Sequence, residues 1–367
     1  MDSASKYLSM ETPNRANHLW RYTPWKKVHP TGDISEIPLL GQPELSLSMI
    51  DGAELPAGIK LQQGVKETPD FSMDNGLTNS FLHASAESSE WTLVVDKRFS
   101  SEKPVILEIR TGDLPSVAHI SLEIGELSEL ELITKVTGRS DWFGILRTGQ
   151  IKDGAVVNDV VLCLQERGTM LRSDNIAIRR DAQVRAGTVS SGSERTKSDL
   201  RYILGDPGGN LRVLGSILSA DSMHLDHHIE IHHEAPETFS RLSWHSACGG
   251  KSRTIGTGML AIKEGAIGAD ASQIFHNLLL SRSAEADSIP ELEVMENNVV
   301  GCGHGTANGP IDEDQVFYLN TRGFDDDGAK RSLIAAFLNS TLSEMGGGTL
   351  HEWLVSELTA QLESLFG

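Results

Sequence analysis

The chain has 367 residues, 39% of them hydrophobic and only 5% aromatic, with 35 glycines. That length allows two or three domains or one long β fold, and the composition favours a β-rich architecture of small and branched residues over a helical bundle. With 32 Lys and Arg against 51 Asp and Glu the net charge is −19, which repels nucleic acid and anionic lipid, so neither is an expected partner.

Three cysteines, Cys163, Cys248 and Cys302, lie far apart with no CxxC pair. They make neither a disulfide framework nor a self-contained four-thiolate cluster site. No apolar run is long enough to span a bilayer, and no signal-peptide pattern occurs. A soluble, cytoplasmic protein with no membrane partner is therefore expected.

Residues 1–90 read as a mixed segment. Leu19, Trp20, Tyr22 and Trp25 form an aromatic anchor for the body of the fold. Residues 30–90 are rich in Pro, Gly, Ser and Asp, and one or two helical turns over 79–86 are the most regular structure expected there. From Trp91 to about Val300 short apolar runs recur, among them WTLVV, PVILEI, LELITKV, AVVNDVVLCL and HHIEIH. Each is rich in branched residues and bounded by turn residues, so each predicts a strand. Three phrases echo one another: IKDGA at 151–155, IRRDA at 178–182 and IKEGA at 262–266. Their spacings are unequal, and the pattern suits either a sandwich or a β-solenoid of stacked coils.

Six histidines crowd one stretch: His224, His227, His228, His232, His233 and His245. Neighbours on a strand face opposite ways, so His227 and His228 do not share a metal, whereas His228 and His232 would lie on one face. The run reads either as a metal site or as a hydrophilic strand surface. His233-Glu234 lacks the second histidine of a zinc-protease motif. Gly250-Lys251-Ser252 resembles the end of a P-loop, but His245 stands where the first glycine is required. Gly256, Gly258 and Ala261 fit a dinucleotide fingerprint without the helix that must follow it. No nucleotide is expected to bind this chain.

The stretch GCGHGTANGPIDEDQVFYLNTRGF, residues 301–324, opens as tight, glycine-rich backbone. Cys302 and His304, two residues apart, carry soft metal-ligand chemistry. Pro310 and Asp312 read as a helix start and Gly323 as its stop. A second helix begins at Asp325, Asp326 and Asp327, whose charges suit the helix dipole, with Ala329, Leu333, Ala336 and Phe337 on one face. Glycines 346–348 break it, and a third helix carries a stripe of Leu350, Leu354, Leu358, Leu362 and Leu365. The expected division is a mixed segment 1–90, a β core 91–300 and a helical domain 301–367. Residues 285–367 are strongly acidic, opposed only by Arg322, Lys330 and Arg331, which reads as a solvated surface or a face for a basic partner.

Several of these phrases, in this order, resemble the SufB/SufD family of iron–sulfur cluster assembly scaffolds. Cys302, His304, Gly305 and Thr306 match its C-x-H-G-A/T segment, and Phe317, Tyr318, Arg322 and Gly323 its following F-Y and R-G. Ile231, His233, Ala235, Pro236, Thr238 and Ser240 match its V-x-H-x-A-P-x-T-x-S phrase. Leu278-Leu279-Leu280-Ser281, Ala284 and Pro290-Glu291-Leu292-Glu293 match another, and WRYTPW resembles the N-terminal element. SufB-type chains place a cysteine where Ala284 stands, and glutamates where Gly303 and Gly305 flank the histidine. The chain therefore looks SufD-like.

The resemblance implies a right-handed parallel β-helix core with helical ends. It implies a non-catalytic scaffold that pairs with a SufB-type subunit or a second copy of itself and docks a SufC-type ABC ATPase. His304 and Cys302 would then hold iron or a transient iron–sulfur cluster at the subunit interface. Val316, Phe317, Asp325, Asp326, Asp327, Leu333 and Phe337 would belong to the ATPase docking region. Two other readings of the residues stay open: a β-helix carbohydrate-active enzyme, and a histidine-ligated metalloenzyme built from residues 224–245.

Overall fold

The computed structural model describes residues 3–65 and 76–366. The short alternating runs form two nine-stranded sheets. The first contains β1 (Glu44–Met49), β4 (Val105–Thr111), β6 (Glu129–Gly138), β8 (Val156–Gln165), β10 (Gln183–Ser190), β12 (Asn210–Ser219), β14 (Phe239–Cys248), β16 (Asp270–Leu279) and β18 (Gly301–Pro310). The second contains β2 (Ile59–Gln63), β3 (Glu90–Val95), β5 (Ser116–Ile124), β7 (Trp142–Ile151), β9 (Thr169–Ile178), β11 (Arg195–Leu204), β13 (His224–His233), β15 (Arg253–Ile262) and β17 (Glu285–Val294). The chain changes sheet at each corner, and every ladder after the first antiparallel pair of each sheet is parallel. The result is a parallel β-solenoid of about eight turns. Helices α1 (Ser3–Leu8) and α2 (Gly76–Ser85) precede the first coils, and α3 (Glu313–Thr321), α4 (Asp326–Met345) and α5 (Gly348–Phe366) follow the last. Among the described residues no helix is long and apolar enough to cross a membrane.

The three echoing phrases occupy one corner, where strands of the second sheet end. Gly154, Asp181 and Gly265 there adopt φ of 65°, 55° and 93°. The coil length drifts from 26 residues, Thr169 to Arg195, to 32, Arg253 to Glu285. That drift hides the repeat from a fixed-period search. Within the lumen, side chains stack one per coil: Ile124, Ile151, Ile178 and Leu204 form one fully buried ladder. Where a large ring fills the lumen, glycine faces it. An added Cβ at Gly215 would lie 2.2 Å from the Trp244 ring.

The lumen also holds charge. Arg147 on β7 reaches across to Asp159 on β8 at 2.7 Å and along its own sheet to Asp174 at 2.8 Å, and Arg172 pairs with Asp174 at 2.6 Å. Burial opposes the Asp174 charge, but the two guanidiniums hold its carboxyl below the usual range. Such charges survive burial only because they are paired and hydrogen-bonded.

Each sheet has an outer cover. Tyr7, Leu19, Trp20, Trp25 and Phe81 pack on Val117, Trp142, Leu146 and Leu171 of the second sheet, which bears out the aromatic anchor. Ile334, Leu338, Leu342 and Met345 of α4, with Leu350, Leu354, Leu358 and Leu362 of α5, cover Ile133, Val160, Leu162, Val189, Leu214 and Leu218 of the first. The expected leucine stripe of α5 is present; the Leu365 side chain lies outside the described residues.

Four local expectations need correction. Residues 44–49 and 59–63 are strands, because turning back antiparallel lets them extend the sheets. Helix α2 spans Gly76–Ser85, longer than the turn or two read from sequence, because most of it is buried under the N-terminal cover. Residues 301–310 are the last strand, not a tight turn, since their backbone pairs with β16 in parallel. The buried face of α4 is centred on Ile334 and Leu338, leaving Ala336 exposed.

The histidine run belongs to the fold. His228 and His232 share a face and both bond Glu230, at 2.7 and 3.0 Å, while Arg201 approaches the same carboxylate at 2.5 Å. His224 meets Thr23 at 2.8 Å, His245 stacks on Phe337, and His233 bonds the Thr238 and Ser240 hydroxyls at 2.8 Å each, one ring nitrogen donating and the other accepting. His227 lies against Trp244 with centroids 5.1 Å apart. None of the six belongs to the group with metal-ligand spacing among the described residues.

Two tests follow from the lumen. Gly215→Val should lower stability to urea by about 1–3 kcal/mol, because Trp244 has no space to retreat into. Burial pushes His227 down to about 3 and His233 to about 4, against 6.5 when unfolded. Between those values the unfolded chain binds more protons, so stability is complete above 6.5 and falls as pH drops. Urea midpoints at pH 7, 6 and 5 should decline. His227→Leu should remove one proton's share, about 1.4 kcal/mol per pH unit.

Candidate interface site at the open end of the solenoid

The last coil is uncovered. Leu260 and Ile262 on β15 are fully buried, yet their register partners Leu292 and Val294 on β17 are 37% and 44% exposed. Met295 and Val300 beside them are exposed too. In the first sheet Ala271, Gln273 and Phe275 are buried lumen residues of β16. Their partners on β18 are Cys302, His304 and Thr306. These sit in the inward register, but no further coil stacks on them. Both β17 and β18 are edge strands, whose outer backbone groups have no ladder partner among the described residues.

Alternation puts Cys302 and His304 on one face of β18, pointing to the mouth of the lumen. Cys302 is half-buried and packs on the lumen core, whereas His304 is exposed. Partial burial pushes the Cys302 thiol up, which favours its protonated form. Added Cβ atoms at Gly303 and Gly305 would meet nothing within 4 Å, so internal packing does not require glycine at either position. Ala284 lies at the corner before β17, 8% exposed, and offers no ligand atom.

The other sequence-derived site residues divide. Val316 is buried on α3, and Phe337 stacks on His245 beneath α4 with ring centroids 4.7 Å apart. Leu333 is half-buried. Phe317, Tyr318 and Phe324 are 69%, 56% and 46% exposed and adjoin the exposed Asp325, Asp326 and Asp327. Two acids work locally. Asp312 caps α3 by accepting from the Asp314 and Gln315 amides, and Asp325 caps α4 by accepting from the Gly328 amide. Sequence reasoning missed Leu292, Val294, Met295 and Val300 as surface. Taken alone they read as core, and only their place in the last coil exposes them.

Comparison with known proteins agrees with this architecture. A family model described as SUF system FeS cluster assembly, SufBD core domain, matches residues 108–337, from β4 into α4. An iron–sulfur cluster assembly SufBD family protein of Mycobacterium leprae is 24% identical over 96% of this chain and 91% of its own length. One from Mycobacterium tuberculosis is 26% identical over 97% and 90%. The iron–sulfur cluster assembly protein SufD of Escherichia coli is 24% identical over 89% and 83%. With more than half its length matched by that core, the chain belongs to the SufB/SufD family of the SUF iron–sulfur cluster assembly system.

Proposed function

We propose that this chain is a non-catalytic, SufD-like scaffold subunit of a SUF assembly complex, and that its uncovered last coil is where it meets a second scaffold subunit. The observation that carries this reading is the register: positions buried one coil earlier are exposed or half-buried in this one, and they include a thiol and an imidazole. A second SufB/SufD-type subunit, either a SufB sister or another copy, would supply the missing coil. Its backbone would pair with β17 or β18 by strand addition. Iron, or a nascent cluster, is the cargo. One thiolate and one imidazole cannot complete its coordination, so the remaining ligands come from the partner subunit. The solenoid alone is equally compatible with a carbohydrate-active enzyme; the family assignment favours the scaffold reading.

The helical end is proposed to dock a SufC-type ABC ATPase. Phe317, Tyr318 and Phe324 supply exposed apolar anchors, and the flanking acids steer a basic partner surface. Removing the helices would bare the apolar outer face of the first sheet, so point variants test this better than deletion.

His304→Ala should change stability by less than about 0.5 kcal/mol, because the side chain is exposed. Cluster delivery by the reconstituted complex should fall about tenfold or more; delivery at the normal rate would remove His304 from the ligand set. Phe317→Ala should weaken ATPase binding by about 2 kcal/mol, read by calorimetry. Asp327→Lys should slow association, with a larger effect at low salt. Unchanged capture in both variants would place docking elsewhere.

A further inference from the structure

A second cluster of ligand chemistry lies at the opposite end of the molecule, under the N-terminal cover. Glu90 on β3 and His119 on β5 are direct register partners on the outer face of the second sheet. His83, in the last turn of α2, comes down over them. Their ligand atoms all lie within 4.8 Å of one another. The Glu90 Oε1 atom is 3.6 Å from His83 Nε2 and 3.6 Å from His119 Nδ1.

Those distances are too long for hydrogen bonds, which close to about 2.7–3.2 Å. They are close to the separation of two ligands around a tetrahedral cation. Metal–ligand bonds of about 2.0–2.1 Å put neighbouring donors about 3.4 Å apart. His119 is fully buried, and its Nδ1 has no hydrogen-bond partner. The other ring nitrogen of each histidine is held by a hydroxyl: His119 Nε2 by Thr148 at 2.9 Å, and His83 Nδ1 by Ser3 at 2.5 Å. Outer partners of this kind fix the tautomer and orient each ring, and in His119 they turn the unpartnered Nδ1 toward Glu90. The side chains of His83 and Glu90 are 19% and 23% exposed, so the group is in contact with solvent.

We propose that His83, Glu90 and His119 form a site for a first-row divalent cation, two imidazoles and one carboxylate completed by water. Zinc and ferrous iron both suit this donor set. The cation would fasten α2, and through Ser3 also α1, to the first two coils. The site is separate from Cys302 and His304 and does not depend on their proposed role.

The test uses the full chain after chelator dialysis. Zinc titration by calorimetry should give one equivalent per chain, and an anaerobic ferrous titration decides which cation binds tighter. Melting temperature should rise with zinc. His83→Gln and Glu90→Gln should each weaken binding about 100-fold or more, while His232→Gln should not. Zinc-edge X-ray absorption on the wild-type protein reads the ligands without any variant. Two imidazoles and no sulfur support the proposal. A sulfur shell near about 2.3 Å would place the metal at a cysteine and overturn it. No zinc or iron bound, or undiminished binding by Glu90→Gln, would also overturn it and leave a bare His–Glu–His contact.

Discussion

Each coil of the solenoid can bury its inward side chains only against the coils on either side. That constraint explains the fully buried ladder from Ile124 to Leu204 and the pairing of Gly215 with Trp244. It also explains how charge enters the lumen. Arg147 and Arg172 sit one coil apart, close enough to share Asp174, and Asp159 closes the pair from the facing sheet. Stacked coils bring such partners together at fixed spacing, and the same low-dielectric setting would make any one of them costly alone. The rule must fail at an end. At the N-terminal end β1 and β2 turn back antiparallel onto the first coils. At the other end β17 and β18 are the last strands of their sheets among the described residues.

Both covers combine an apolar layer with specific polar bonds. The helical cover lays α4 and α5 against branched residues of the first sheet, with Lys135 paired to Glu357 at 3.3 Å and Arg212 to Glu344 at 3.1 Å. The N-terminal cover is pinned by specific bonds. Trp142 donates its indole N–H to the Val28 carbonyl at 2.6 Å, and Thr23 bonds Asp226 at 2.5 Å, which also takes Lys197 at 3.2 Å. Polar contacts of this kind fix one position of a cover on its sheet. The conspicuous histidines fall inside this logic. Most are second partners of buried carboxylates, hydroxyls and rings, and their chemistry is spent on holding the coils and covers together.

The family and the broad order of strands then helices were legible in the sequence. Phrases such as the match around His233 to Ser240 mark one corner of one coil, where the imidazole bonds both hydroxyls. Strands with clean alternation, such as β6 and β8, were also legible. Strands β10, β11 and β14 were not, because their polar residues, Lys197 and Arg201 among them, are buried through partners far away in sequence. Strand β18 was hidden for the opposite reason. Its glycines look like a turn until β16 supplies a ladder.

By itself the sequence determined the donor atoms that Cys302 and His304 carry and the helix starts at Asp312 and Asp325. These depend on residue identity and near neighbours. Only the tertiary structure decided which groups meet and which are uncovered. His83, Glu90 and His119 converge because a helix folds back over two adjacent strands. Leu292 and Val294 are surface because the stack ends there, although the same residue types at the same register are core one coil earlier. Burial is a property of what lies alongside, and no local stretch of chain encodes its own neighbours in space.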